Sequence, residues 1–329
     1  MNGILLTKKA WLRYHPELRG CSFMSDGASG SSPLTGAASA ACVGNESEAQ
    51  NPHGGERPVK RVLILAGQSN AGGHTFLSFL PDAAGKISPS RVSEMALGYN
   101  NIRIMYSVNP YSTAPHRSED FVPVKLGQGR SDQCLGPEAG LAEYLNKTYP
   151  GEEFYIIKCA SGGTRLFSSW NPEKSGQPKN LYDDMLSFTS TALNKLTSDG
   201  STAEIVAFLW MQGESDTNKD LTYYSPDFSE YNILFGKLLD GFSLRFKDYL
   251  PSSGMAVIQA GISSHWNNHA SMNRAKKEFC STLPRGIYFD TYDLTFDLDN
   301  TDYGHFDAAA MVLLGNRFGE AVSQVIDQS

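Results

Sequence analysis

The sequence predicts an α/β fold in which a central parallel sheet is covered by helices on both faces and wound right-handedly. Three observations carry that reading. Short apolar runs bounded by glycine or turn residues recur along the chain, the pattern of strands buried on both faces. Segments with apolar residues at three- and four-residue steps stand between those runs, the pattern of helices that bury one stripe. No linker-like stretch breaks the alternation after Val59, so a single domain suffices.

The elements follow in order. VLILAG (62–67) is the first strand and NIRIMYSV (101–108) the second. PEAGLAEYLNKTY (137–149) has helical spacing, with a proline suited to a first turn. FYIIKCA (154–160) is a strand that ends in Ser161-Gly162-Gly163. LYDDMLSFTSTALNKL (181–196) is an amphipathic helix, and EIVAFLWMQG (204–213) is the most apolar strand of the set. SEYNILFGKLLDGFSLRF (229–246) is helical, MAVIQAGI (255–262) a strand, NNHASMNRAKKEFC (267–280) a helix and GIYFDT (286–291) a last strand. DAAAMVLLGNRFGEAVSQVI (307–326) closes the chain as a helix. Residues 21–58 are rich in Ser, Gly and Ala and poor in large apolar side chains, so they cannot offset their own ordering entropy. Residues 1–59 are therefore expected to be a disordered or weakly ordered tail, with 60–329 as the folded domain.

Composition limits the function classes. The chain is 40% hydrophobic and 19% charged, which is globular, and its net charge of −7 argues against nucleic acid as a partner. Five cysteines at irregular spacing suggest neither a disulfide framework nor a zinc site. No apolar stretch approaches the roughly 18 to 20 residues of a membrane span, and Lys8 and Lys9 interrupt the only apolar patch near the N-terminus. The expectation is a cytoplasmic protein that does not enter a membrane; the sequence leaves the oligomeric state open.

In an open α/β sheet the ligand site lies beyond the carboxyl ends of the strands. Ser69 follows the first strand, Ser161-Gly162-Gly163-Thr164 the third, and Gln212, Gly213, Glu214, Ser215 and Asp216 the fourth. Asp302 and His305 precede the last helix. Each feature alone has an ordinary explanation: a serine after a strand is usually a turn or cap, a Gly-Gly pair a tight loop, a buried glutamine a satisfied core amide. Their collection on one edge suits acyl transfer. A serine hydroxyl needs a base to remove its proton, and that base needs a group to hold its tautomer. His305, near a helix start, would be held neutral as a base must be, and Asp302 could bond its other ring nitrogen. The Ser69 N–H, an N–H of Gly162 or Gly163, and the Gln212 amide would supply oxyanion donors.

GQSN (67–70), CASGGT (159–164) with Trp170 after it, WMQGESD (210–216) and DYGH (302–305) resemble, in order and spacing, the blocks of the sialate O-acetylesterase and acetylxylan esterase group. This is the SASA-type carbohydrate esterase branch of the SGNH hydrolases. The resemblance spans roughly residues 60 to 326, and the WxQGExD block is its most specific part. It implies a flavodoxin-like three-layer α/β/α sandwich, Ser69 as nucleophile, His305 as base, no metal or organic cofactor, and an acetylated carbohydrate, of sialic acid or xylan type, as substrate. Gln212 matches the glutamine that this branch carries where the superfamily commonly has an asparagine oxyanion donor. The acid stays open between Asp302, preferred for its proximity in sequence, and Glu214. Gln68, Asn70, Arg165 and Trp170 are expected around the substrate, and Asp216 is expected to be structural.

Competing motifs weigh less. FDLDNT (296–301) has the form of a haloacid-dehalogenase phosphatase motif, but the chain after Thr301 reads as one helix and lacks the later lysine and acidic pair. His265 and His269 are four apart, yet no third zinc ligand accompanies them and a polar loop entering a helix explains them. His265 or Trp266 could line the mouth of the pocket. The strongest alternative from another class is a catalytically inactive carbohydrate-binding module of the same fold.

Overall fold

A computed structural model describes residues 59–80, 86–217, 224–296 and 304–327. These lie in one compact unit, Pro58–Ser329. Residues 1–58 of the tail expected at 1–59, Asp302 and most of FDLDNT fall outside the described residues.

Six parallel strands form the body of the sheet: β1 (Lys60–Gly67), β3 (Tyr99–Val108), β7 (Phe154–Ala160), β8 (Ala203–Met211), β9 (Ala256–Ala260) and β10 (Gly286–Phe289). Their order across the sheet is β10-β9-β8-β1-β7-β3, and each neighbouring pair is parallel. Two short strands, β4 (His116–Arg117) and β5 (Val122–Val124), pair antiparallel with β3 at that edge. A separate two-stranded ribbon joins β2 (Thr75–Phe76) to β6 (Cys134–Leu135).

Alternation along the strands divides the core in two. Leu63 and Leu65 of β1 pack with helices α2 (Pro89–Leu97), α3 (Glu138–Thr148) and α7 (Ala308–Ile326). Val62, Ile64 and Ala66 face the other way, toward α4 (Leu181–Thr197), α5 (Ser229–Arg245) and α6 (His269–Thr282). This is a three-layer α/β/α sandwich, and the period-two rule for strand side chains explains why one strand serves both cores. Caps set several helix starts. Asn180 Oδ1 accepts from the Tyr182 and Asp183 N–H groups, and Asp307 accepts from Ala310 N–H at 2.8 Å.

Sequence periodicity did not reveal α2, whose only fully buried side chains are Val92 and Met95. Its Ser88-Pro89 start is nevertheless a regular cap, with Ser88 Oγ accepting from Arg91 N–H. Nor was the single helical turn α1 (Ser69–Gly72) legible as a helix.

β1 and β8 approach very closely at their carboxyl ends. Gly67 has φ +145°, and a Cβ there would sit 2.0 Å from the Met211 carbonyl oxygen. Only glycine permits that approach. Gly67→Ala should therefore lower stability by about 2 kcal/mol or more, seen as a lower urea midpoint at unchanged m; an unchanged midpoint would contradict the close approach.

Candidate active site

The strand ends that build the site lie at one level. Gly67 is opposite Ala160 of β7 and Met211 of β8, while Val108 of β3 is opposite Ala160. Whatever follows these four residues is brought to one rim: Ser69, Ser161-Gly162-Gly163, Gln212 to Asp216, and Asn109.

Ser69 opens α1 and is 4% exposed. The first N–H groups of a helical turn have no partner within it, so the Ser69 N–H is available at the rim. Asn70 is fully buried and entirely engaged. Its Nδ2 donates to Glu214 Oε1 at 2.9 Å and to the Gly304 carbonyl at 3.3 Å, and its Oδ1 accepts from Phe306 N–H at 3.4 Å. Thr75 Oγ1 donates to the Phe306 carbonyl at 2.7 Å. The segment carrying Ser69 thus grips the backbone on both sides of His305. Asn70 is a tie between loops and offers no surface to a substrate, contrary to the expectation from sequence.

Two residues that the sequence reading passed over complete this edge. The His74 ring stands 4.9 Å from that of His305, tilted by 32°, and an added Cβ on Gly162 would come within 2.6 Å of His74 Cε1. Glycine at 162 therefore makes room for His74, whose Nδ1 lies 3.5 Å from Arg130 Nη1. Asn109 follows β3 with φ 52°, and its Oδ1 accepts from Gly162 N–H at 2.8 Å. That bond occupies the Gly162 N–H and leaves Gly163, exposed and at φ 69°, as the second backbone donor of the pair. Attention to the residue after each strand would have found Asn109; nothing local marks His74.

The block after β8 is a buried polar network. Gln212 Oε1 accepts from Tyr231 O–H at 2.9 Å, and Tyr231 accepts in turn from Trp210 Nε1 at 3.0 Å. This fixes the amide, so Gln212 Nε2 faces the Thr164 carbonyl, Gln68 Oε1 and Asp216 Oδ2. Three acceptors surround two hydrogens, and Gln212 is spent as a donor in this arrangement. Asp216 also takes the Leu166 and Phe167 N–H groups and the Tyr224 O–H, which makes it a structural anchor for the loop after β7. Gln68 Oε1 accepts from Ser215 N–H, and Arg165 Nε donates to the Ser215 carbonyl at 3.2 Å. Trp170 is 1% exposed, packed edge-on against Trp210 and bonded through Nε1 to Thr164 Oγ1. It belongs to the core and not to a pocket wall, because its indole has no face left to offer.

Glu214 is fully buried, and burial raises its pKa, with the Asn70 bond and the charges of Lys276 and His305 opposing the rise. Its Oε1 bonds to Asn70 and its Oε2 to no group among the described residues, so neither oxygen holds the imidazole directly. His265 and His269 do not share a helix face, because α6 begins only at His269. The His265 ring lies 4.5 Å from that of Phe296, tilted by 43°, and Phe296 stacks on Phe306 beside His305. Among the described residues no cluster of three potential metal ligands occurs, and no helix is long and apolar enough to cross a membrane.

The model of the family described as carbohydrate esterase, sialic acid-specific acetylesterase matches residues 59–324. No curated protein matches the sequence. Among solved structures, a protein from Arabidopsis thaliana is 21% identical with a TM-score of 0.55, over 81% of this chain and 99% of that one. The NanS structure is 17% identical with a TM-score of 0.55, over 83% and 99%. A carbohydrate acetylesterase from Xanthomonas citri is 14% identical with a TM-score of 0.55, over 82% of this chain and 57% of that one. At these identities the structures show a shared fold.

Lys276 gives the network a pH signature. It is fully buried on α6, and its Nζ donates to the Gln212 carbonyl at 2.7 Å and the Ala260 carbonyl at 2.6 Å. Burial lowers its pKa from 10.5 to about 8, against the opposing pull of Glu214. Between those values the unfolded chain binds the extra proton, so stability rises with pH. Relative to Lys276→Met, the wild type should gain about 3 kcal/mol from pH 8 to 10.5, measured by urea unfolding; parallel curves would contradict this.

Proposed function

Because the chain belongs to the carbohydrate esterase family of sialic acid-specific acetylesterases, we propose that it removes O-acetyl groups from a sugar through an acyl-enzyme on Ser69. It is a carboxylic ester hydrolase, and its family acts on O-acetyl esters of carbohydrates. The observation that best supports the serine route is the double grip of Asn70 on Gly304 and Phe306, because it brings the loop of His305 against the turn of Ser69.

In this reading Ser69 Oγ attacks the acetyl carbonyl carbon while His305 accepts its proton. The tetrahedral oxyanion is met by the backbone N–H groups of Ser69 and Gly163, with Gln212 holding the loop between them. Collapse breaks the ester bond, and His305 returns the proton to the departing sugar hydroxyl. Water then attacks the acetyl carbon while His305 takes its proton, and collapse breaks the bond to Ser69 Oγ, which takes the proton back from His305 as acetate leaves. Asp302, three residues before His305, is the proposed partner of the second imidazole nitrogen; Glu214 acts on His305 through Asn70. Arg165 and Gln68 stand behind the loop as its supports. The family description favours acetylated sialic acid as the sugar, with xylan-type acetyl esters the comparison.

Ser69→Ala and His305→Ala should each reduce turnover on an aryl acetate and on acetylated sialic acid by about 10⁴-fold or more. A fluorophosphonate should label the wild type and not Ser69→Ala. Retained activity in Ser69→Ala would remove the mechanism, and a wild type that neither labels nor releases acetate would favour the binding module.

A further inference from the structure

We infer that Asn70 is the positioning residue of the base: its amide holds the His305 loop in register with Ser69, and Glu214 fixes the direction in which that amide points. The inference rests on the esterase reading.

Three groups surround the Asn70 amide, and they agree on one orientation. Glu214 Oε1 and the Gly304 carbonyl are acceptors, so both require the NH2 end, while Phe306 N–H is a donor and requires the oxygen. A flipped amide would set oxygen against two oxygens and N–H against N–H. Glu214 is the buried, strongly accepting member of the set, so it contributes most to the choice. Oε2 meets no hydrogen-bonding group among the described residues, so Asn70 is the only other side chain there that bonds this carboxyl group. Asn70 itself has no exposed surface, so its contribution to turnover must pass through the loop it holds. Thr75 ties Phe306 independently through its carbonyl, so loss of the amide should displace the loop without freeing it.

A displacement of about 1 Å at a reacting group costs about 10²-fold in rate. Asn70→Ala should accordingly lower kcat on an aryl acetate by about that factor while KM stays within about twofold, since Asn70 meets no substrate. Asn70→Asp places a second carboxyl group against Glu214 and should lose at least as much. The exchange Asn70→Asp with Glu214→Gln restores a donor opposite an acceptor and should regain about tenfold in kcat over Asn70→Asp alone. Thermal unfolding of each variant reports whether it folds, and the exchange pair decides the matter if Asn70→Ala does not. Wild-type kcat in folded Asn70→Ala, a loss confined to KM, or no recovery in the folded exchange variant would overturn the positioning role. A wild type without esterase activity would instead overturn the proposed function, a distinct result.

Discussion

The register of β7, β1 and β8 is the constraint on which the site depends. Three parallel strands that finish at Ala160, Gly67 and Met211 deliver three loops to one rim. The bond from Gln68 N–H to the Met211 carbonyl and that from Ser161 N–H to the Gly67 carbonyl extend this alignment one residue past the strands. A slip of one residue would turn each following side chain to the opposite face. The two cores prevent such a slip, because Val62 and Leu63 must enter different layers.

Below the rim the protein buries charge. Lys158 lies on a central strand with no exposed surface, and its Nζ donates to Glu138 Oε2 at 2.7 Å and the Gln128 carbonyl at 2.9 Å. Glu138 Oε1 accepts from Gly136 N–H, and Gly136 packs on the backbone of Gly73, just past the turn of Ser69. Such an ion pair is a poor source of net stability, since desolvation opposes it. Its effect is to define where the loop of residues 128–136 rests, and through Gly73 where the turn of Ser69 ends. Asp216 and Gln212 do the same for the loop after β7. The site stands on fixed polar joints in place of a soft apolar floor.

Much of the fold was legible in the sequence because strands buried on both faces leave continuous apolar runs. The six parallel strands and the five longest helices lie where periodicity put them, within a few residues at their ends. The short antiparallel strands β4 and β5 were not visible, because two or three residues carry no period. Ser69, Gly162, Gly163, Gln212 and Glu214 stand at one rim because each follows a strand, a placement the sequence order already implies. Their individual tasks were less accessible. That Trp170 is core and Asn70 a tie depends on what surrounds them, and a sequence records neighbours along the chain only. His74 escaped notice for the same reason: its partners are His305, Gly162 and Arg130, all distant in sequence.

The tie from Asn70 to Phe306 joins residues 236 positions apart. Contacts of such separation form late in folding, since the entropy of closing so long a loop must be met before they contribute. The strands and the core on the side of α4, α5 and α6 can assemble before the segment around Phe306 is seated, whereas the other core needs α7 to close. The rim around Ser69 is thus completed only when the segment of Phe306 and α7 docks, and a ribosome-bound chain lacking its final helix would carry Ser69 beside one closed core and one open one.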